Sequence, residues 1–217
     1  QADLKALIER ISKLEAENKA QAAKIVKLLD MALKTGAPVL ALMDSAGVRI
    51  DEGAEAMNAY SEIYQKLARM SGVCPIVSVV LGPCIGGAAL LTQLADLSIV
   101  AEKVGEVMVF GPQVMAAMNG LAVKPEELGG AKTVAEMGAC ALTTATEEEA
   151  LLKAKQLLAL LPSSNLEDSD IVDTDDMSRL LPEVDAADAA ALMAALADNG
   201  SFVELYADYE PVVKVAL

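Results

Sequence analysis

The longest uncharged stretch of this sequence restricts the fold more than any other feature. Residues 70–95 contain no Asp, Glu, Lys or Arg, and this length would suffice for a transmembrane helix. However, three pairs of residues containing Gly or Pro interrupt the stretch, and its composition changes from β-branched to Ala-rich. We therefore predict a buried parallel strand at residues 75–81, a tight loop at 82–85 and a buried helix at 86–94, without a membrane span.

Similar units occur on both sides of this stretch. Residues 38–43 form a short, continuous apolar run, which predicts a strand covered on both faces. Apolar spacing and composition predict further elements: helices at 21–34, 54–70, 147–160 and 187–197, and strands at 97–101, 107–110, 201–206 and 212–217. The alternation of strands and helices favours an α/β fold with a parallel sheet.

The composition excludes several classes of function. With 17 Lys and Arg against 32 Asp and Glu, the formal net charge is −15, which opposes binding to nucleic acid. The sequence contains no His, so Ser–His and Cys–His triads and His-ligated metals are excluded, and no metal site is predicted. Three widely spaced Cys and a first segment without an export signal indicate a cytoplasmic protein.

Two turns are the candidate functional segments, because each follows a predicted buried strand. Residues 44–53 read DSAGVRIDEG, and residues 82–88 read GPCIGGA. Ligands of open α/β sheets bind at the carboxyl ends of the strands. Gly86 and Gly87 begin a helix, where backbone N–H groups lack helical partners and the helix dipole favours negative charge, as in an oxyanion hole. Alternatively, the two glycines only allow the helix to pack closely on the strand.

The stretch of residues 37–161, with the segment that directly follows it, contains motifs that resemble those of a known family. DSAGVRIDEG, SGVCPIVSVVLGPCIGGAAL, PEELGGAKT and LLPSSNLED are similar to segments in the amino-terminal, crotonase-like half of biotin-dependent carboxyltransferase subunits. Such subunits belong to acyl-CoA carboxylases, such as propionyl-CoA carboxylase, to methylmalonyl-CoA decarboxylases and to transcarboxylases. The resemblance implies the crotonase-like α/β fold, in which ββα units form a spiral.

The resemblance also implies a site and a reaction. The N–H groups of Gly86 and Gly87 would be catalytic, holding the thioester oxygen of an acyl-CoA as its enolate forms. A further set of residues would bind the substrate: Ser45, Ala46, Gly47, Arg49 and Ile85. Biotin on a separate carrier protein would take the α-proton and exchange the carboxyl group, so the reaction needs no His in this chain.

The sequence departs from the family's usual motifs at a few positions. The first turn usually reads DSGGARIQEG, so Ala46 replaces a glycine and Val48 an alanine, and Ile85 replaces the alanine of GPCAGG. Ala46 retains an N–H group but would oppose an unusual backbone angle. Arg49 could bind a CoA phosphate or pair with a neighbouring carboxylate. Cys84 is predicted to be an inert packing residue.

The resemblance divides the chain into four segments. These are an N-terminal helix at residues 1–19, a crotonase-like acyl-CoA-binding core at 20–161, an acidic linker at 162–185 and the start of a second crotonase-like half at 186–217. Compared with the family, we expect a chain that is shortened on its amino-terminal side and lacks most of the second half. Its expected partners are an acyl-CoA, a biotin carrier protein and a second carboxyltransferase half in a homo- or hetero-oligomer.

Two other functions remain open from the sequence. The chain could be a noncatalytic scaffold subunit of a carboxylase or decarboxylase complex that has kept the fold and lost the pocket. It could also be a crotonase-type acyl-CoA enzyme that works without biotin. That reaction would require an acid or base from the protein, and Asp51 and Glu52 of the first turn are the carboxylates predicted to supply it.

Overall fold

The computed structural model describes most of the chain as an α/β structure built on a parallel sheet. The described residues are 21–48, 53–120, 122–167, 175–176, 178–185, 187–198, 201–210 and 212–217. A helix whose described part covers residues 21–35 comes first and is called α1. The elements that follow are β1 (Val39–Ser45), α2 (Gly53–Met70), β2 (Ile76–Ile85), α3 (Gly87–Gln93), β3 (Leu97–Ala101), β4 (Glu106–Met108), α4 (Pro112–Asn119), α5 (Pro125–Gly129), α6 (Ala131–Glu136), β5 (Leu142–Thr144), α7 (Glu147–Leu160), α8 (Ala189–Leu196), β6 (Glu204–Leu205) and β7 (Val215–Ala216).

The main sheet places the ends of β1 and β2 side by side. Its strand order is β1-β2-β3-β5, and each of these pairs is parallel. The first half of β2 pairs with β3, and its last three residues pair with β4, also in parallel. Because β1 and β2 run in the same direction, the turns that follow them emerge at the same edge of the sheet, where ligands bind in such folds.

Helices cover the two faces of the sheet. On one face, Leu157 of α7 lies in a buried cluster with Val79 of β2 and Ile99 of β3. Val203 and Leu205, near the end of the chain, belong to the same cluster. On the other face, α1 and α2 pack over the start of β2, and α3 and α6 pack beside its end. The buried apolar residues of β2 therefore hold both layers together.

The prediction that the strand at residues 38–43 is covered on both faces is wrong. In β1, Leu40 and Leu42 are 42% and 57% exposed. The reason is that β1 lies at the end of the described strand order, and α7 packs on β2, β3 and β5. An apolar run alone does not distinguish a strand at the edge of a sheet from a central one.

The predicted loop at residues 82–85 is also wrong, because these residues continue β2. Along the pair of strands, Met43 lies opposite Val80, whereas Ser45 lies opposite Cys84. β2 therefore carries extra residues relative to β1, which is the geometry of a bulge. The Gly-Pro pair in this segment marks the irregularity in the ladder and not the end of the strand.

The other predicted elements are confirmed with small shifts of their ends. The strongest helix, at residues 147–160, begins at a Thr146 cap whose Oγ accepts the Glu149 N–H at 3.2 Å. The final two strands are shorter than predicted and pair with each other in antiparallel fashion. The described part of residues 162–185 contains no helix or strand, and the predicted helix at 1–19 lies outside the described residues. Among the helices that the structure describes, none combines the length and apolar character needed to cross a membrane.

Two leucines of α7 differ in burial, so their substitution tests which face of the helix lies in the core. Leu157 is fully buried and Leu152 is 68% exposed on the same helix. We expect Leu157→Ala to lower the free energy of unfolding by about 2–5 kcal/mol, because it leaves a cavity in the core. The matched change Leu152→Ala should alter it by no more than about 0.5 kcal/mol. Urea unfolding of both variants measures these values, and equal losses would contradict the position of α7.

Candidate functional site

The two candidate turns are in direct backbone contact. Gly47 has a φ of +100°, and a Cβ at this position would lie 2.8 Å from the carbonyl oxygen of Ile85. A side chain at Gly47 would therefore be strained by its backbone conformation and would also push the turns apart. The approach follows from the parallel pairing of Ser45 with Cys84 at the ends of the two strands.

Ala46, which stands where the family usually has a glycine, fits the backbone of the first turn. Among the described residues, Tyr206 is the only non-glycine residue with a positive φ, so Ala46 adopts a backbone conformation that suits an L residue. The positive φ occurs one residue later, at Gly47, whose N–H donates a long hydrogen bond of 3.4 Å to the Ser45 Oγ. Arg49, which was predicted to bind substrate, lies outside the described residues.

In the second turn, the prediction that Gly86 offers a free N–H group is wrong. The Gly86 N–H donates to the carbonyl oxygen of Met108 at 3.0 Å, because the pairing of β2 with β4 extends through this residue. Gly86 instead shapes the turn: its φ of 64° and ψ of −121° lie in a region that glycine adopts readily. The glycine at this position thus serves the change of direction from β2 to α3.

Gly87 keeps the property that the sequence predicted for both glycines. It is the first residue of α3, where N–H groups have no acceptor within the helix, and no side chain caps this end. The helix dipole adds partial positive charge at the same place. Of the predicted pair, Gly87 is therefore the residue whose amide could bind an anionic oxygen.

Two tyrosines of α2 hold Gly87 in place. A Cβ on Gly87 would lie 2.8 Å from the Tyr64 hydroxyl and 2.9 Å from the Tyr60 ring. The Tyr64 hydroxyl donates a hydrogen bond of 2.9 Å to the Gly87 carbonyl oxygen. The ring centroids of Tyr60 and Tyr64 are 5.9 Å apart. The i, i+4 spacing of the two tyrosines in the sequence indicates that they share a helix face, but it does not reveal this contact.

A cavity of about 490 Å³ adjoins the first turn. Among the predicted site residues, Ser45 and Gly47 line it, whereas Ala46, Ile85, Gly86 and Gly87 are not among its lining residues. From α3 the lining residues are Ala88 and Leu91. The remaining lining residues come from α1, β1, α2 and the turn: Gln21, Ala22, Ile25, Leu42, Met43, Asp44, Val48, Ala56, Ala59, Tyr60 and Ile63. The cavity is thus bounded both by the turn that follows β1 and by α3.

The titratable groups near this site favour binding over nucleophilic chemistry. Burial raises the pKa of the Cys84 thiol to about 11; its contact with the Ser45 backbone opposes this shift, and the charge of Asp44 adds to it. Cys84 is therefore almost entirely protonated at neutral pH, as expected of a packing residue. Burial, and to a lesser extent Tyr60, raises the pKa of Tyr64, so its hydroxyl remains a donor. Within the described ranges, no cluster of three or more acidic or sulfur ligands is suited to a metal ion.

Comparison with known proteins identifies the family. Residues 9–217 match the model of the carboxyl transferase domain. The chain belongs to this family. Among the similar members of the carboxyl transferase family, the propionyl-CoA carboxylase beta chain of Saccharopolyspora erythraea is 34% identical over 207 residues, covering 87% of this chain and 38% of that protein. The methylmalonyl-CoA decarboxylase subunit alpha of Veillonella parvula is 35% identical over 199 residues, covering 87% of this chain and 39% of that protein.

A solved structure of another family member confirms the predicted crotonase-like fold. Transcarboxylase 12S, crystallised as a hexamer with hydrolysed methylmalonyl-coenzyme A bound, matches with a TM-score of 0.84 and 31% identity. The match covers 91% of this chain and 41% of that one. The chain thus spans about two fifths of the length of these carboxyl transferase relatives.

Cysteine reactivity tests the environment at the end of β2. Raising the pKa of the Cys84 thiol from 9.0 to about 11 leaves about a hundredfold less thiolate at pH 8. We therefore expect iodoacetamide at pH 8 to modify Cys84 at least about a hundredfold more slowly in the folded protein than in urea. Peptide mass spectrometry over a time course measures the rate, and rapid labelling of folded Cys84 would contradict the assigned burial.

Proposed function

We propose that this chain is the acyl-CoA-binding component of a biotin-dependent carboxyltransferase, which moves a carboxyl group between biotin and the α-carbon of an acyl-CoA. The observation that carries the proposal is the contact between Gly47 and the Ile85 carbonyl, which brings the first turn beside the start of α3. Membership of the carboxyl transferase family supports the same reaction.

The proposed catalytic contribution is electrostatic. As the α-proton leaves, negative charge develops on the thioester oxygen, and a preorganised amide lowers the energy of this state. Gly87 supplies such an amide, because its N–H group begins α3 and has no acceptor within the helix. Gly86 does not take this role, since its N–H group already donates a hydrogen bond to the carbonyl oxygen of Met108.

The proposed substrate pocket is the cavity beside the first turn. Ser45 and Gly47 line it from one side, and Ala88 and Leu91 of α3 line it from another. Apolar side chains such as Ile25, Leu42 and Ile63 supply much of the remaining wall, which suits an acyl chain or the apolar part of a CoA arm. Ala46 and Ile85 help to shape the pocket through the backbone of the two turns.

Other components complete the proposed reaction. Biotin, attached to a carrier protein, supplies the exchangeable carboxyl group and the base for the α-proton. The described residues of this chain form the acyl-CoA side of the site, and none is assigned to biotin. We propose that a second carboxyltransferase half supplies that side in a homo- or hetero-oligomer, and that the protein acts in the cytoplasm. One structural relative was crystallised with methylmalonyl-coenzyme A and methylmalonic acid bound.

Titration calorimetry with propionyl-CoA is the primary test of this proposal. Saturable binding by the purified chain is expected, and free CoA should bind more weakly because it lacks the acyl group. A noncatalytic scaffold would show no saturable binding. With methylmalonyl-CoA as substrate, release of propionyl-CoA that does not depend on added biotin would support the biotin-independent enzyme instead.

Gly47→Ala tests whether the contact between the turns forms the pocket. The added methyl group would meet the Ile85 carbonyl at 2.8 Å, and we expect the Kd for propionyl-CoA to rise by at least about tenfold, or about 1.4 kcal/mol. Gly72→Ala is the matched control, because Gly72 also has a positive φ of +73° but open space around its Cβ position. Both variants should lose about 1–2 kcal/mol of stability through backbone strain. Equal effects on propionyl-CoA binding would contradict the proposed pocket.

A further inference from the structure

The hydrogen bond from Tyr64 to Gly87 joins α2 to the first peptide of α3. It is 2.9 Å long, and its acceptor oxygen belongs to the peptide whose N–H group is that of Ala88. Residues 64 and 87 are far apart in sequence, so this contact exists only in the folded protein. The adjacent Tyr60 ring closes the space above Gly87, which leaves little freedom for that peptide to rotate.

The same contact has an electronic consequence. A hydrogen bond to a carbonyl oxygen polarises its peptide and strengthens the donor at the other end of the same unit. Here that donor is the N–H group of Ala88, a residue that lines the cavity shared with Gly47. The Tyr64 hydroxyl therefore acts on the backbone at the start of α3 without itself lining the cavity.

We infer that Tyr64 is a positioning residue for carboxyl transfer, holding the Gly87–Ala88 peptide so that the Ala88 N–H group, which follows the proposed Gly87 donor at the start of α3, favours a negatively charged thioester oxygen. This inference rests on the proposed function, because it assumes that an acyl-CoA occupies the cavity. Tyr64 does not touch the reacting atoms; its effect passes through the Gly87 carbonyl. Loss of the hydroxyl should therefore weaken binding of the charged enolate more than binding of the neutral thioester.

Two matched variants separate this role from packing. Tyr64→Phe removes the hydroxyl that donates to Gly87 and retains the ring. Tyr209→Phe makes the same change at a ring that lies outside the cavity, beside Gly138, and whose hydroxyl has no hydrogen-bond partner among the described residues. The binding probes are propionyl-CoA, a neutral thioester, and 2-nitropropionyl-CoA, which loses its acidic α-proton to give a planar anion whose charge is shared between the nitro group and the thioester oxygen.

We expect Tyr64→Phe to weaken binding of 2-nitropropionyl-CoA by about tenfold and to change that of propionyl-CoA by less than about twofold. Tyr209→Phe should leave both affinities within about twofold of the wild type. Amide hydrogen exchange at residues 87–90 should be faster in Tyr64→Phe than in Tyr209→Phe, with or without a ligand.

If Tyr64→Phe weakens both probes equally, or neither, the positioning role is overturned while the proposed function stands. If the wild type binds neither probe, the proposed function is overturned and the positioning role falls with it. Unchanged exchange at residues 87–90 in Tyr64→Phe would overturn the positioning role even if the affinities shift.

Discussion

The site depends on how the two strand ends approach each other. β1 and β2 remain in register as far as Met43 and Val80, and then β2 takes extra residues before Ser45 and Cys84 pair again. This irregularity brings the turn after β1 against the backbone of β2, with Gly47 at the Ile85 carbonyl. A regular ladder would keep the neighbouring backbones at the usual strand spacing of about 4.8 Å. The bulge and the glycine are therefore needed together.

Two adjacent glycines have different tasks because they belong to different hydrogen-bonding systems. Gly86 completes the parallel pairing of β2 with β4 through its N–H group, and its positive φ then turns the chain. Gly87 begins the helix and is packed beneath Tyr60 and Tyr64, which excludes a side chain there for steric reasons. Thus the packing role that the sequence left as an alternative and the proposed amide role both apply to Gly87.

Local signals in the sequence predicted the helices and strands, but they could not predict the contacts between residues that are far apart in the chain. α7 could be predicted because Thr146 and the following glutamates form a helix start independent of the rest of the fold. The hydrogen bond from the Gly86 N–H to the Met108 carbonyl oxygen could not be predicted, since it depends on the pairing of β4 with β2. The exposure of Leu40 and Leu42 depends likewise on which strand lies at the edge. The contact between Tyr64 and Gly87 requires the packing of two helices, which spacing alone does not specify.

The composition of the cavity fits substrate positioning better than proton transfer by the protein. The whole chain lacks histidine, and Asp44 is the one carboxylate among the residues that line the cavity. A Cβ on Gly82 would overlap the Asp44 carboxylate, so this group packs against the bulge of β2. The other described walls are apolar side chains, hydroxyls and backbone amides. Such a site can orient a thioester and stabilise charge on its oxygen, which is sufficient when the base for the α-proton arrives with the second substrate.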